Sequence, residues 1–540
     1  MTIFSAVFTP AALARGIVTI TVLLVVTSAA LAQPCLPLQV RNPAGNYIVP
    51  GSMGDIPYSR DLALDAYVRP GGARRPSIVV IHGGGWSSGG RVAHVGQILE
   101  LLTGAGYNWF AVDYRLDGLA RQDDSVADVR AALDFIRCRA ADFSIDPNQL
   151  VLLGEDTGAD LAARLAAERP AGVVGSILIG GLYDAIAVPA VTPEMNRSAA
   201  PIPSPATPVK RPPVLVVHGE GDSETPPDRA RHYCAELSAG GRRCDFVGVA
   251  GASHRSENWY PSQWTYKREI VNWITALTRA RAIPYRPHAG AVSKDVVYSP
   301  SAALRLDAAI PPSATPLPAV IIVHGGGWEA GDKVTYVTPL FEPLARAGLA
   351  WFSIDYRLTP DVTNQDQLED VRQAVRFVKT QHARFNIDPA RIFLVGESAS
   401  GQLVLMLAAE DRSFAGVVSF YGVYDFAAMV TDASPRSLLV RLFRRTVLDD
   451  DSRAILRKYS PLFQVHPGMP PILLVNGTGE RLWAQAQTFA LRLKELGVDH
   501  ELIALDEAPH GMENWEGHPE WMFYKRRVVD WIQRVAGIGD

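Results

Sequence analysis

A serine hydroxyl is a poor nucleophile at neutral pH unless a base takes its proton and an acid orients that base. The second half of this chain supplies three such groups in order. Ser398 lies in Gly396-Glu-Ser-Ala-Ser400, between the apolar-rich Arg391 to Val395 and the apolar Leu403 to Ala409. That arrangement is close to G-x-S-x-G, in which the serine rides a strained turn between a strand and a helix. Glu480 follows the apolar run Pro471 to Val475, and His510 follows the strand-like His500 to Leu505. An acid after one strand and a histidine after the next is the order such a triad takes. Asp506 and Glu507 stand nearer His510 in sequence, but at a strand end they are expected to be solvated. The run Gly325-Gly326-Gly327 adds a fourth part. With no side chains in the way, its N–H groups can approach a developing oxyanion, and the N–H of Ala399 supplies another donor. His324 is expected to be a structural member of that loop.

The same parts recur earlier in the chain. Ile81-His82-Gly83-Gly84-Gly85-Trp86 returns as Val323-His324-Gly325-Gly326-Gly327-Trp328, and Gly154-Glu155 returns as Gly396-Glu397. The offset is a constant 242 positions from His82/His324 to Gly154/Gly396. His254-Arg-Ser-Glu-Asn-Trp259 then matches His510-Gly-Met-Glu-Asn-Trp515 at an offset of 256, so the second copy has gained about fourteen residues after the elbow. The first copy keeps Gly84, Gly85, Asp222 and His254 but carries Asp156 where the second has Ser398. A carboxylate cannot form a serine-type acyl-enzyme. The first copy is therefore expected to be a degenerate site kept for folding, packing or ligand binding. The alternative is that Asp156 is itself the nucleophile, forming an alkyl-enzyme ester that His254 would help hydrolyse.

Elements able to position these groups alternate along each copy. Ser77 to His82, Trp109 to Asp113, Leu150 to Leu153, Val174 to Ile179 and Val214 to Val217 read as strands, and Ala127 to Ala140 and Ala159 to Glu168 as helices. The alternation implies an α/β fold, a mostly parallel sheet with helices on both faces and the site at the strands' C-terminal edge. Two such domains are expected, at 47–282 and 292–540, joined by a linker at 283–291. Ser437 to Lys458 has apolar pairs at helical intervals and could cap an acyl or aryl pocket; the alternative is a plain surface helix. The proline-rich 189–213 of the first copy reads as an extended loop.

These motifs resemble the α/β-hydrolase fold in its His-Gly-Gly-Gly-Trp branch: hormone-sensitive-lipase-like carboxylesterases and bacterial feruloyl- and acetyl-xylan-esterase-like enzymes. The resemblance rests on Val323 to Lys333, Asp355-Tyr-Arg-Leu358, Asp370-Val-Arg372, the elbow and Tyr459-Ser-Pro461. It covers nearly all of the second copy and most of the first. It implies Ser398 as nucleophile, His510 as general base and acid, Glu480 as orienting acid, and Gly326, Gly327 and Ala399 as oxyanion donors. Three positions depart from the pattern: Ser400 for glycine, Glu480 for the more usual aspartate, and Asn476 for histidine. The function implied is serine carboxylic-ester hydrolysis, with acetyl or feruloyl esters suggested by analogy. An arylformamidase or peptidase on the same triad, or a non-catalytic binding or scaffold protein, are the alternatives.

With 48% hydrophobic and 20% charged residues and a net charge of −4, the 540-residue chain offers no basic surface for nucleic acid. No metal-ligand spacing or cofactor motif is seen, so none is expected. Arg15, the apolar Gly16 to Val26, and the small residues Ala30 and Ala32 fit a cleaved signal peptide over 1–32, with an uncleaved anchor as the alternative. Residues 33–46 form a leader without periodicity. No other stretch is long enough to span a membrane. In an exported chain the four cysteines suit two disulfides: Cys234 with Cys244, joining a helix end to the next strand, and by elimination Cys35 with Cys138; unpaired buried thiols are the alternative.

Overall fold

The computed structural model describes residues 36–40, 51–71, 75–116, 122–183, 212–259, 263–286, 290–430, 435–518 and 520–538. The signal-peptide expectation and most of the proline-rich 189–213 lie outside them. The first lobe contains β1 (Ser52–Pro57), β2 (Ala63–Tyr67), β3 (Arg75–Ile81), β4 (Asn108–Val112), β5 (Ile145–Glu155), β6 (Val173–Ile179), β7 (Val214–Gly219) and β8 (Cys244–Val249). The second contains β9 (Ala291–Ser299), β10 (Leu304–Ile310), β11 (Leu317–Val323), β12 (Ala350–Ile354), β13 (Ile387–Glu397), β14 (Gly416–Phe420), β15 (Ile472–Gly477) and β16 (His500–Leu505). The sheet order is β1-β2-β4-β3-β5-β6-β7-β8, and the second sheet repeats it as β9-β10-β12-β11-β13-β14-β15-β16. In each sheet the first two strands run antiparallel and the other six are parallel.

The parallel strands are continuous apolar runs because both faces are covered; the six residues of β7 and of β15 are all buried. The antiparallel strands that begin each sheet carry no clear signature in the sequence. Ser52–Pro57 and Ala63–Tyr67 are short, carry aspartates and bulge between Met53 and Ile56, so they lack an apolar signature. The Gln122–Cys138 helix starts five residues earlier than expected. The repeated tripeptides Tyr266-Lys-Arg268 and Tyr524-Lys-Arg526 lie in the first turns of the closing helices, Thr265–Thr278 and Phe523–Ala536. In the leader, Leu38 and Val40 pack against the first lobe's core.

From Leu36 onward the described residues belong to one compact unit. Two buried lysines at equivalent positions cross between the lobes. Lys267 donates to Glu342 at 2.5 Å, and Lys525 donates to Glu100 at 2.8 Å. Glu100 and Glu342 are themselves 242 positions apart. The contact is thus reciprocal, residue i meeting j and j meeting i, as in a two-fold dimer. One apolar cluster includes Leu99, Leu102 and Ile270 of the first lobe with Leu340, Phe341 and Val528 of the second. Cys234 and Cys244 form a disulfide between the Pro227–Ala239 helix and β8, with Cα atoms 5.4 Å apart. Cys138 is also disulfide-bonded, and its candidate partner Cys35 lies outside the described residues. Among the described residues no helix is long and apolar enough to cross a membrane, and no group of His, Cys, Asp and Glu is arranged to hold a metal ion.

Candidate active site

In the second lobe the ends of β13, β15 and β16 bring Ser398, Glu480 and His510 together. Ser398 stands between β13 and the Ala399–Glu410 helix at φ 55°, ψ −115°, a strained conformation that lifts its side chain off the sheet. Its Oγ is 2.9 Å from His510 Nε2, and His510 Nδ1 is 2.9 Å from Glu480 Oε2. Glu480 is held in turn by Asn476 Nδ2, which donates to Oε1 at 2.5 Å, and by the Leu482 N–H, which donates to Oε2 at 3.1 Å. Asn476 thus satisfies the acid's second oxygen, whereas the first lobe's His218 lies 3.2 Å from Asp222 Oδ2, the oxygen that also meets His254. Asp506 instead accepts from Thr478 at 3.3 Å and Glu507 lies exposed, so neither reaches His510.

Ser400 is accommodated by hydrogen bonding. It is fully buried; its hydroxyl donates to Val323 O at 2.6 Å and accepts from the Glu397 N–H at 2.8 Å. The first lobe has Gly158 here, where a Cβ would stand 2.2 Å from Ile81 O. The hydroxyl thus replaces a close backbone approach with two bonds. His324 is buried and accordingly held neutral, lowered to about 4, and it stacks on Tyr356. It is a structural part of the glycine loop. The Pro435–Phe443 and Asp450–Tyr459 helices occupy the expected cap region. Leu439, Leu442 and Leu456 are buried in the second lobe's core, Arg441 pairs with Glu329 just past the glycine loop, and Phe443 packs on Phe426, which packs on Trp328.

The first lobe's counterpart is assembled and then occupied by its own side chain. Asp156 has the same strained backbone, φ 52°, ψ −123°. Its Oδ2 accepts from the Gly84 N–H at 2.9 Å and the Gly85 N–H at 3.4 Å, while Oδ1 is 3.5 Å from His254 Nε2. His254 Nδ1 is 2.9 Å from Asp222 Oδ2. Burial disfavours the charged imidazole, but the two carboxylates outweigh it and raise His254 to about 10. Burial likewise opposes ionisation of Asp222, yet His218, His254 and Thr225 hold it well below the usual carboxylate range. Asp156 is lowered too, its desolvation overcome by His254 and the two glycine N–H groups.

The BD-FAE family model matches residues 64–172 and 306–494, a little over half the chain, and takes in both Asp156 and Ser398. The chain belongs to the BD-FAE family. Among curated proteins it is similar to the probable carboxylic ester hydrolase LipM of Mycobacterium tuberculosis, 28% identical over 36% of this chain and 48% of that protein. It is also similar to the probable isoprenylcysteine alpha-carbonyl methylesterase ICMEL1 of Oryza sativa subsp. japonica, 30% identical over 41% of this chain and 57% of that one. The chain spans about half the length of these relatives. Among solved structures, a truncated carbohydrate esterase from gut microbiota is 20% identical, with a TM-score of 0.42 over 47% of this chain and 99% of that one.

Two residues beside the site were not singled out from the sequence. Glu397 had a signal, since a glutamate precedes the nucleophile position in both copies at the end of a buried strand. Tyr421 had none, because its counterpart is Gly180, which like Tyr421 accepts a positive φ.

Proposed function

We propose that the second lobe of this BD-FAE protein is a serine carboxylic-ester hydrolase working through an acyl-enzyme on Ser398, and that the first lobe is a pseudo-hydrolase. His510 Nε2 takes the hydroxyl proton as Oγ adds to the ester carbonyl, and the resulting oxyanion lies among the N–H groups of Gly326, Gly327 and Ala399. His510 passes the proton to the leaving alkoxide. Water then adds to the acyl-enzyme with His510 again as base, releasing the acid and restoring Ser398. Glu480 accepts the Nδ1–H and stabilises the imidazolium. The unbroken Ser398–His510–Glu480 series at hydrogen-bond distance is the observation that carries this reading. The first lobe supports the oxyanion assignment, since its equivalent Gly84 and Gly85 N–H groups already hold an anion, the Asp156 carboxylate.

Family membership and the ester hydrolases among the curated relatives favour an ester over an amide. Acetyl or feruloyl esters, polysaccharide-linked ones included, are the substrates proposed. The first lobe has no hydroxyl at the nucleophile position of its elbow and acts as a packed support through the Lys267–Glu342 and Lys525–Glu100 crossings. The N-terminal pattern favours export with cleavage before Gln33. A panel of p-nitrophenyl acetate, longer acyl esters, methyl ferulate and matching anilides tests the reading. Ester turnover that disappears in Ser398→Ala is expected; turnover surviving that substitution, or anilides preferred over esters, would overturn it. N-terminal sequencing of the exported protein checks the cleavage site.

A further inference from the structure

The residue before the nucleophile is a buried carboxyl that the triad does not use. Glu397 is 3% exposed, and its Oε2 makes no hydrogen bond. A Cβ on Gly325 would stand 2.1 Å from that oxygen, so the carboxyl sits directly beneath the glycine loop. The Tyr421 hydroxyl and the Gly325 N–H lie near enough to favour its charged form. Tyr421 is fully buried between the two halves of the catalytic machinery. Its hydroxyl accepts from the Met512 N–H at 2.7 Å, two residues past His510, and its ring meets the His510 imidazole edge-on at 4.6 Å.

The first lobe makes the same connection by a different exchange of residues. Glu155 Oε1 accepts directly from the Ser256 N–H at 2.9 Å and the Ser256 hydroxyl at 2.7 Å. Ser256 occupies the place of Met512, and Gly180 the place of Tyr421. Where the histidine loop carries its own hydroxyl no tyrosine is needed; where it carries Met512, Tyr421 supplies one. A link rebuilt from different side chains in both lobes has a function of its own.

Building on the hydrolase reading of Ser398, we infer that Glu397 and Tyr421 are positioning residues. The Glu397 carboxyl beneath the glycine loop, beside a Tyr421 hydroxyl that is bonded to the Met512 N–H, holds the glycine loop, the elbow and the histidine loop in register. Ionisation would set a negative charge beside the oxyanion donors and oppose the charge that develops on the substrate oxygen. The groups facing Glu397 are Glu513 from the turn after His510, Tyr421 after β14, Tyr356 after β12 and Tyr336 past the glycine loop. Glu513 in turn faces His510 and the first lobe's Glu257. Burial first, and then Glu513, raise Glu397 to about 8 against the pull of Tyr421 and Gly325, so the carboxyl is protonated at neutral pH.

The test is the pH dependence of kcat and KM for p-nitrophenyl acetate, corrected for spontaneous hydrolysis, on the full chain. Wild type is expected to lose kcat on an alkaline limb with its midpoint near 8. Glu397→Ala should lower kcat at pH 7 by about thirtyfold to a hundredfold. Glu397→Gln, which keeps a neutral polar group, should recover most of that loss and lack the limb. Tyr421→Phe keeps the ring on His510 and should lower kcat about tenfold or more with KM within about twofold. Glu155→Gln in the first lobe is the control and should leave the limb in place. A limb that persists unshifted in Glu397→Gln, or wild-type kcat in Tyr421→Phe, overturns the inference, and the second variant decides if the first does not fold. Absence of ester turnover in wild type at every pH would overturn the hydrolase reading, a result distinct from active enzyme with an unaltered limb.

Discussion

The two lobes place a histidine, an acid and a glycine loop around the same strained elbow, and they differ at the atom that would attack. In the second, Ser398 Oγ is hydrogen-bonded to His510 and the glycine N–H groups are left to meet a substrate oxygen. In the first, Asp156 reaches further, takes the glycine N–H groups for itself and draws His254 into an ion pair. One carboxylate thus removes three things together: the nucleophile, the oxyanion donors and the neutral base. The turn and the chemistry it carries are separable, because the backbone conformation survives the loss of the hydroxyl.

That contrast can be broken most severely at Ser398. Ser398→Ala should lower kcat/KM by about 10⁴-fold or more, while Asp156→Ala leaves ester turnover near wild type. Comparable losses from both would mean the lobes share one site. Glu480→Gln comes next, about 10³- to 10⁴-fold in kcat, because the amide no longer fixes the His510 tautomer or stabilises its cation. The matching change at Asp222 should leave ester kinetics untouched.

A smaller effect lies in the first lobe's ion pair. His254 is raised from 6.5 to about 10, so its contribution to stability is complete below about 6.5 and is lost as pH rises through about 10. Imidazole signals of His254 should therefore titrate near 10 in wild type and fall well below that in Asp156→Asn. Unchanged titration would show that Asp156 is not its partner in solution. The smallest effect concerns the Cys234–Cys244 bridge, which closes a ten-residue separation in the first lobe only. Cys234→Ser with Cys244→Ser should cost about 2–3 kcal/mol by loop-entropy reasoning, measured by denaturant unfolding, with ester kcat preserved. Loss of kcat in the folded double variant would show that the lobes are coupled in catalysis.

Much of this contrast is legible in the chain because a repeat reports each element twice. The buried parallel strands, the elbow and the order of acid and histidine all follow from apolar runs that recur at a fixed offset. The antiparallel strands Ser52–Pro57 and Ala63–Tyr67 do not, since the first alternates buried with half-buried residues and bulges, and an aspartate interrupts each, so neither leaves a continuous apolar run. The departure at Ser400 is visible in sequence, but its reason is not: the bond to Val323 O joins residues 77 positions apart. Asp156 could be read as a lost hydroxyl, yet its occupation of the Gly84 and Gly85 N–H groups depends on a side-chain rotamer that no spacing encodes. Tyr421 is hidden for a related reason, since a tyrosine standing opposite a glycine has no repeat to point to it.

The central claim is that only one of the two elbows carries a reactive hydroxyl. Treating the folded full-length protein with a fluorophosphonate and mapping the adduct by peptide mass spectrometry tests it directly. A single adduct at Ser398, absent from Ser398→Ala, is predicted. No adduct at Ser398 in folded protein, or one on the first lobe's elbow, would contradict it.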